Sequence, residues 1–314
     1  MRKRTAHRAS SHSYQQLLAQ QGYHAIGSAG AVKTCLWLKK ALRDEGVCYK
    51  EQFYGISSHR CIQMTPTVHC NQRCLHCWRA TDVDTVSDYS FDEPEMLVEA
   101  SLHAQQRLTS GYKGYAKINS EKLREAQLPK QVAISLSGEP TLYPYLDELI
   151  AIYRRRHITT FVVSNGSIPT MIERIRPTQL YISLNSPDEA RYYTACRPLG
   201  HQFDQLLKSL QVLAEHPART AVRVTLTRNV NASAPDSYAQ LIEQAEPDYV
   251  EIKSYMHLGY SRQRLPRAAM LTYDEIEAFA RQIADDLGYA IAGGSQPSRV
   301  VILSKNGSIK KIAP

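Results

Sequence analysis

Ile62-Gln-Met-Thr-Pro-Thr-Val68-His69-Cys70-Asn-Gln-Arg-Cys74-Leu-His76-Cys77-Trp78-Arg79 is the stretch on which the reading of this chain turns. A short run rich in β-formers (62–68) leads straight into three cysteines, with three and then two residues between them. Three thiolates on one loop can hold three irons of a [4Fe–4S] cube and leave the fourth iron open to a small molecule. Electron-transfer ferredoxins supply four cysteines per cluster, so a set of three points to chemistry at the open iron. A zinc knuckle would want a fourth ligand, and His76 is crowded between Cys74 and Cys77. Buried core thiols would need no pattern at all.

The remaining cysteines extend the pattern. Cys35, Cys48 and Cys61 are separated by twelve residues each time, Cys70 follows nine residues after Cys61, and Cys196 stands apart without a role. The count is odd and no secretory signal is evident, which argues against structural disulfides. Two sets of three suggest two clusters facing one cavity, each with one iron open.

Composition sets outer bounds. The chain has 314 residues, 43% hydrophobic and 22% charged, enough for a full core. No apolar stretch approaches the roughly 18 residues of a membrane span, so no membrane association is expected. The basic start (1–12) is read as a disordered arm, since no apolar signal core follows it. Reduced, metal-ready thiols then imply a cytoplasmic protein. A formal charge of +8 favours an anionic partner and is compatible with nucleic acid.

Strand-like runs at 62–68, 132–137, 159–164, 180–184, 221–227 and 249–254 alternate with helical segments at 94–109, 142–156, 168–176, 202–215 and 237–245. Ser90 or Asp92 is a candidate cap for the first of these helices, and Asp204 lies early in the fourth. Most of the strand runs are continuously apolar, as in a parallel sheet covered on both faces. Six repeats imply an α/β fold, an open (β/α)6 partial TIM barrel. The expected organisation is a basic arm (1–12), an N-terminal helical extension carrying Cys35, Cys48 and Cys61 (13–61), the barrel (62–258) and a C-terminal extension (259–314). Helices are expected at 13–21, 31–45 and 273–287, a strand at 300–303, and a hairpin turn at Lys305-Asn306-Gly307-Ser308. The long insertion after the first strand is expected to cover one rim.

Ligands of parallel barrels bind at the C-terminal strand ends. The cysteine loop follows the first strand, Ser137-Gly138-Glu139-Pro140 the second and Ser164-Asn165-Gly166 the third, while Ser183-Leu184-Asn185-Ser186 ends the fourth. Gly138 permits close backbone approach. Glu139, Asn165, Ser183 and Asn185 supply the donors and acceptors that an amino acid and a ribose require.

Cys70-x3-Cys74-x2-Cys77 together with Ser137-Gly138-Glu139-Pro140 resembles the loop and Gly-Gly-Glu-Pro motif of the radical S-adenosylmethionine (SAM) enzymes, with Ser in place of the first Gly. More narrowly, Cys35-x12-Cys48-x12-Cys61 running into Cys70-x3-Cys74-x2-Cys77-Trp78-Arg79 is similar to archaeal tRNA 4-demethylwyosine synthases of the wybutosine pathway. Cys48-Tyr-Lys-Glu-Gln-Phe-Tyr-Gly-Ile56 and Glu251-Ile-Lys-Ser-Tyr-Met-His-Leu-Gly259 extend the likeness over roughly residues 30 to 305. The resemblance implies a carbon–carbon lyase-type enzyme with two [4Fe–4S] clusters. One, on Cys70, Cys74 and Cys77, binds SAM and cleaves it to a 5′-deoxyadenosyl radical that takes hydrogen from the N1-methyl group of 1-methylguanosine-37 in tRNA-Phe. The other, on Cys35, Cys48 and Cys61, binds pyruvate. Two pyruvate carbons are kept and ring closure gives the tricyclic base. Eukaryotic forms carry an added flavodoxin-like domain that this chain lacks, so an external ferredoxin- or flavodoxin-type electron donor is implied, with the enzyme itself a monomer.

By the same resemblance Lys50 is the catalytic candidate, forming a Schiff base with pyruvate or its adduct. That step needs a neutral amine, hence burial or neighbouring positive charge. Lys253 is the competing lysine, and Glu251 and Tyr255 are further candidates for the cavity wall. For tRNA, the basic groups are Arg154-Arg155-Arg156-His157, Arg174 with Arg176, and Arg262, Arg264 and Arg267; the last follows the sixth strand near the barrel mouth. Trp78, Tyr255 or Tyr260 could stack on an extruded base. The other readings are a radical SAM enzyme acting on a peptide or small metabolite, and a non-catalytic Fe–S electron carrier or metal-dependent RNA-binding protein.

Overall fold

Residues 11–80 and 90–312 are described by the computed structural model, and over them the chain alternates strand and helix. α1 (Ser11–Gln20), β1 (His24–Ile26), β2 (Gly30–Val32), α2 (Leu36–Ala41) and α3 (Tyr49–Tyr54) precede the barrel. Its parallel strands are β3 (Cys61–Thr65), β4 (Gln131–Ile134), β5 (Thr159–Ser164), β6 (Gln179–Ser183), β7 (Arg219–Leu226) and β8 (Tyr249–Ser254). Between them run α4 (Pro94–Ser110), α5 (Ser120–Glu125), α6 (Leu146–Arg155), α7 (Pro169–Arg174), α8 (Glu189–Cys196), α9 (Phe203–Ala214) and α10 (Pro235–Glu243). α11 (Tyr273–Leu287), β9 (Ala290–Ser295) and β10 (Val300–Ser304) complete the described fold. The sheet order is β1-β2-β3-β4-β5-β6-β7-β8-β10-β9, so the six parallel strands form the expected (β/α)6 partial barrel, extended at each side by two antiparallel strands.

Period-two alternation decides what each strand residue does. Ile62, Met64, Val132, Ile134, Val162, Leu180, Ile182, Val222, Val224, Val250 and Ile252 point outward into the core shared with the helices. Their neighbours point inward. Cys61, Gln63, Ala133, Ser135, Val163, Ser183, Arg223, Thr225 and Lys253 all line one cavity. Below it, Phe161, Tyr181, Ala221 and Tyr249 pack with Tyr49, Phe53 and Tyr54 of α3. α3 is therefore a plug inside the barrel.

A buried ion pair holds that plug. Glu251 is 0% exposed and accepts hydrogen bonds from the hydroxyls of Tyr54 (2.7 Å), Tyr181 (3.0 Å) and Tyr49 (3.2 Å). Arg223 donates to it through Nη2 (2.8 Å) and Nε (3.1 Å). Burial pushes the Glu251 carboxyl up, but Arg223, Lys50 and the Tyr54 hydroxyl outweigh it and hold the group below the usual range.

Four local expectations are corrected. Residues 31–45 are not one helix: Ala31 and Val32 pair with Thr65 and Met64, and their full burial outweighs any local helix tendency. The helix starts only after Cys35, whose Sγ accepts from Leu38 N (3.3 Å). The cap of α4 is Glu93, with Pro94 in the first turn; Asp92 instead binds Ser28 N (2.6 Å) and Ser28 Oγ (3.0 Å). The turn at 305–308 forms, with Gly307 at φ 67°, but no hairpin follows it. β10 is already paired on both sides, so the chain runs on beneath the barrel, where Ile312 N donates to Tyr54 O (2.9 Å). The arm expected at 1–12 lies outside the described residues up to residue 10, and Ser11 already begins α1.

Two substitutions test this architecture. Glu251→Gln should cost about 3 kcal/mol, because it leaves Arg223 buried without its counter-charge, and Tyr54→Phe about 1 kcal/mol. Both are read as a lower urea midpoint at unchanged slope. Gly138 has φ 68°, and a Cβ there would run into the carbonyl oxygens of Thr67 and His69. Gly138→Ala should therefore destabilise by about 3 kcal/mol in the same assay.

Candidate active site

The inward-facing residues surround a cavity of about 990 Å³. Cys35, Cys48, Cys61, Cys70, Cys74 and Cys77 all line it, together with Lys50, Gly138, Glu139, Asn165, Ser183 and Asn185. Cys61 opens β3 and Cys70 follows its end, so the two sets of three stand at opposite ends of one strand. At about 3.3 Å per residue, the length of β3 alone separates them by about 13 Å.

Many backbone contacts shape the Cys70–Cys77 loop. The end of α8 grips it through Arg73 N to Cys196 O (3.0 Å), Leu75 N to Ala195 O (2.9 Å) and a bridge between Gln72 and Pro198. From the other side, Arg264 donates to Leu75 O (3.2 Å), Arg79 O (3.3 Å) and Cys77 O, and Tyr260 N donates to Trp78 O (3.0 Å). Asn165 Nδ2 donates to Asn71 Oδ1 (2.8 Å). Cys196 is buried in the outer core against which Cys74 packs, and its backbone helps anchor the loop.

Glu139 faces the cavity but spends its carboxylate on the protein. It accepts from Thr141 Oγ1 (2.7 Å), Thr141 N (3.1 Å), Ser164 Oγ (2.8 Å) and Asn165 N (2.7 Å), a brace between the ends of β4 and β5. Asn185 Oδ1 accepts from Thr225 N (3.1 Å) and so holds the end of β6 against β7.

At the other end, Lys50 is 8% exposed, and its Nζ lies 4.3 Å from the Phe161 ring centroid and 4.9 Å from that of Tyr181. Burial and then Arg223 push its pKa down. Lys253, higher on β8, is pushed down to about 8 by the same two causes. Burial pushes the Cys61 thiol up to about 12 and that of Cys48 up to about 11, so metal ligation at either must release a proton.

Six free sulfurs, in two sets of three, stand on the wall of one cavity, and a set of three thiolates is the donor chemistry of an iron–sulfur cube with one open iron. The Leu38 N–H donated to Cys35 Sγ is the kind of contact that tunes such a cluster. Among the described residues no three His, Cys, Asp or Glu side chains converge on the position of a single ion. His76 also lines the cavity, and burial, Arg264 and Lys253 lower its pKa to about 4.

The expected nucleic-acid contacts divide. Arg264 belongs to the cysteine loop, because its guanidinium is used on loop carbonyls. Arg156 pairs with Glu95 and Glu99 (2.5 Å for the latter), and Arg174 with Asp147 (3.1 Å). Arg262 and Arg267 remain exposed. Tyr255 is 1% exposed, packed with Leu265 and Ala269 away from the cavity wall, so it cannot stack on a base. Trp78 lines the cavity but already stacks on Tyr23 (6.3 Å between centroids), while Tyr260 lines the mouth. Sequence reasoning missed Arg223, since a single arginine inside an apolar strand carries no motif; its inward phase in β7 was the available signal.

Comparison with known proteins places this geometry. A family model described as the radical SAM superfamily matches residues 64–242, and one described as wyosine base formation matches residues 244–305. An S-adenosyl-L-methionine-dependent tRNA 4-demethylwyosine synthase from Methanocaldococcus jannaschii is 42% identical over 307 residues, 95% of this chain and 97% of that protein. The Pyrococcus abyssi protein of the same name is 42% identical over 300 residues, 92% of this chain and 88% of that protein. A structure of TYW1 with a lysine-pyruvate adduct bound superposes with TM-score 0.87 at 41% identity, covering 95% of this chain and 97% of that one. A crystal structure of archaeal TYW1 gives 0.79 at 38% identity, with the same coverage. At this identity over nearly the whole of both chains, the protein belongs to the S-adenosyl-L-methionine-dependent tRNA 4-demethylwyosine synthase family.

Proposed function

We propose that this protein converts N1-methylguanosine at position 37 of tRNA-Phe, together with pyruvate, to 4-demethylwyosine. The observation that carries the reading is the single cavity lined by both cysteine sets and Lys50. Cys70, Cys74 and Cys77 would hold the SAM-binding [4Fe–4S] cluster, and Cys35, Cys48 and Cys61 a second one on the pyruvate side. When bound, the first cluster and SAM supply the radical chemistry; the protein positions the reactants and limits water.

Lys50 acts as the amine. Its free base adds to the keto carbon of pyruvate, the carbonyl oxygen leaves as water, and an imine joins the two. Burial and the nearby Arg223 charge favour the free amine over the ammonium, and among the described residues no carboxylate lies within ion-pair distance of it. Lys253 lies nearer the strand ends and is the alternative amine. Arg262 and Arg267, beside the cavity mouth, are the first candidates for tRNA phosphates. Electrons would come from a separate ferredoxin- or flavodoxin-type protein. Among the described residues no helix is long and apolar enough to cross a membrane.

An anaerobic reaction of reconstituted protein with SAM, a strong reductant, tRNA bearing 1-methylguanosine-37 and pyruvate labelled at carbons 2 and 3 should yield a tricyclic nucleoside carrying both labels by mass spectrometry. SAM cleavage with an unchanged nucleoside would overturn the substrate reading. Lys50→Arg should cut product by at least ~100-fold, the scale of losing a covalent step, while SAM cleavage persists; full product would remove the imine. Iron analysis should give about eight irons per chain, and about four when Cys35, Cys48 and Cys61 are all alanine.

A further inference from the structure

We infer that Arg223, with the Ser183 hydroxyl beside it, forms the subsite for the carboxylate of the 2-oxo acid that condenses with Lys50. The inference rests on the Lys50 reading above and adds a group that selects the acid. Arg223 and Ser183 are direct neighbours in the β6–β7 register, and both face the cavity. The Arg223 side chain is only 14% exposed. Its Nε and Nη2 serve Glu251, and Nη2 also donates to Tyr49 Oη (3.0 Å). Nη1 has no hydrogen-bond partner among the described residues. A buried guanidinium edge left with donors to spare on a cavity wall matches a planar oxyanion.

The position also fits. Arg223 Cζ lies 4.3 Å from the centroid of the Tyr181 ring, and Lys50 Nζ lies 4.9 Å from the same centroid. Both groups therefore lie against one aromatic ring, no more than about 9 Å apart. In this proposal a three-carbon 2-oxo acid lies along that ring, its keto carbon at the amine and its carboxylate at the guanidinium. Glu251 cannot take the acid's place, because its oxygens are committed to Arg223 and three tyrosine hydroxyls.

Reductive trapping tests this without SAM, tRNA or turnover. The cluster-loaded protein is incubated anaerobically with pyruvate or with its methyl ester, and cyanoborohydride delivers hydride to the imine carbon. The secondary amine left on Lys50 is then quantified by peptide mass spectrometry. Wild type should reach half-labelling at a pyruvate concentration lower, relative to the ester, than Arg223→Gln does, by about tenfold or more, the scale of one charge-assisted hydrogen bond. Arg223→Lys keeps a charge against Glu251 and so protects the fold; it should also lose most of the preference, since its ammonium lacks the second edge. Circular dichroism confirms folding, and Arg223→Lys decides if Arg223→Gln does not fold. Equal labelling by acid and ester in wild type would overturn the subsite, as would an unchanged preference in the folded variants; in both cases Lys50 labelling stands. No label on Lys50 from either compound would overturn the imine reading itself.

Discussion

A carboxylate with no exposure, set in the middle of the barrel, organises everything above it. Glu251 draws the Arg223 guanidinium and the hydroxyls of Tyr49, Tyr54 and Tyr181 to two oxygens. Desolvating these charges is costly, and a buried pair seldom adds net stability over an apolar substitute. Its effect here is on position. Tyr49 and Tyr54 belong to α3, so the network ties the short helix bearing Lys50 to β6, β7 and β8, and Cys48 immediately precedes that helix. The amine and one cysteine of the second set are thereby located from inside the barrel.

The cysteine loop is located from outside. Its carbonyls and amides are taken up by α8, by Asn165 and by Arg264 and Tyr260 of the segment after β8. Few of these partners belong to the loop itself. A loop held this way keeps Cys70, Cys74 and Cys77 on the cavity wall. The segment carrying the exposed Arg262 and Arg267 is the one that grips the loop through Arg264, so the surface nearest the mouth is tied directly to the cysteine loop.

Much of this was legible in the chain. The β-run and three cysteines of 62–77, the six apolar strand patterns and the residues after each strand located the cavity, because parallel strands place their C-terminal ends together whatever their detail. The individual roles were less legible. Glu139 and Asn165 occupy the expected places, but their side chains brace strand ends and loop, a matter of partners distant in sequence. Arg264 read as a surface cation because nothing local reveals that loop carbonyls lie against it. The stretch 31–45 read as helix because its burial depends on Thr65 and Met64 across the sheet. Arg223 was silent for the same reason: its meaning comes from Glu251, 28 residues away in sequence.

The vertical order of the barrel explains why one cavity can serve two reactants. Along β8, Tyr249, Glu251 and Lys253 face inward in succession, and the rungs across the register follow suit: aromatic at the floor, charged in the middle, polar at the strand ends. The strand ends carry the Cys70–Cys77 loop and the polar Asn165 and Asn185, while Lys50 lies against the aromatic residues of the floor. The floor is closed by Tyr49, Phe53, Tyr54, Phe161 and Tyr181, so the room for a larger reactant lies above it, toward the strand ends. The proposed reaction then has the small acid below, beside Lys50, and the nucleobase above, on the side of the Cys70–Cys77 loop.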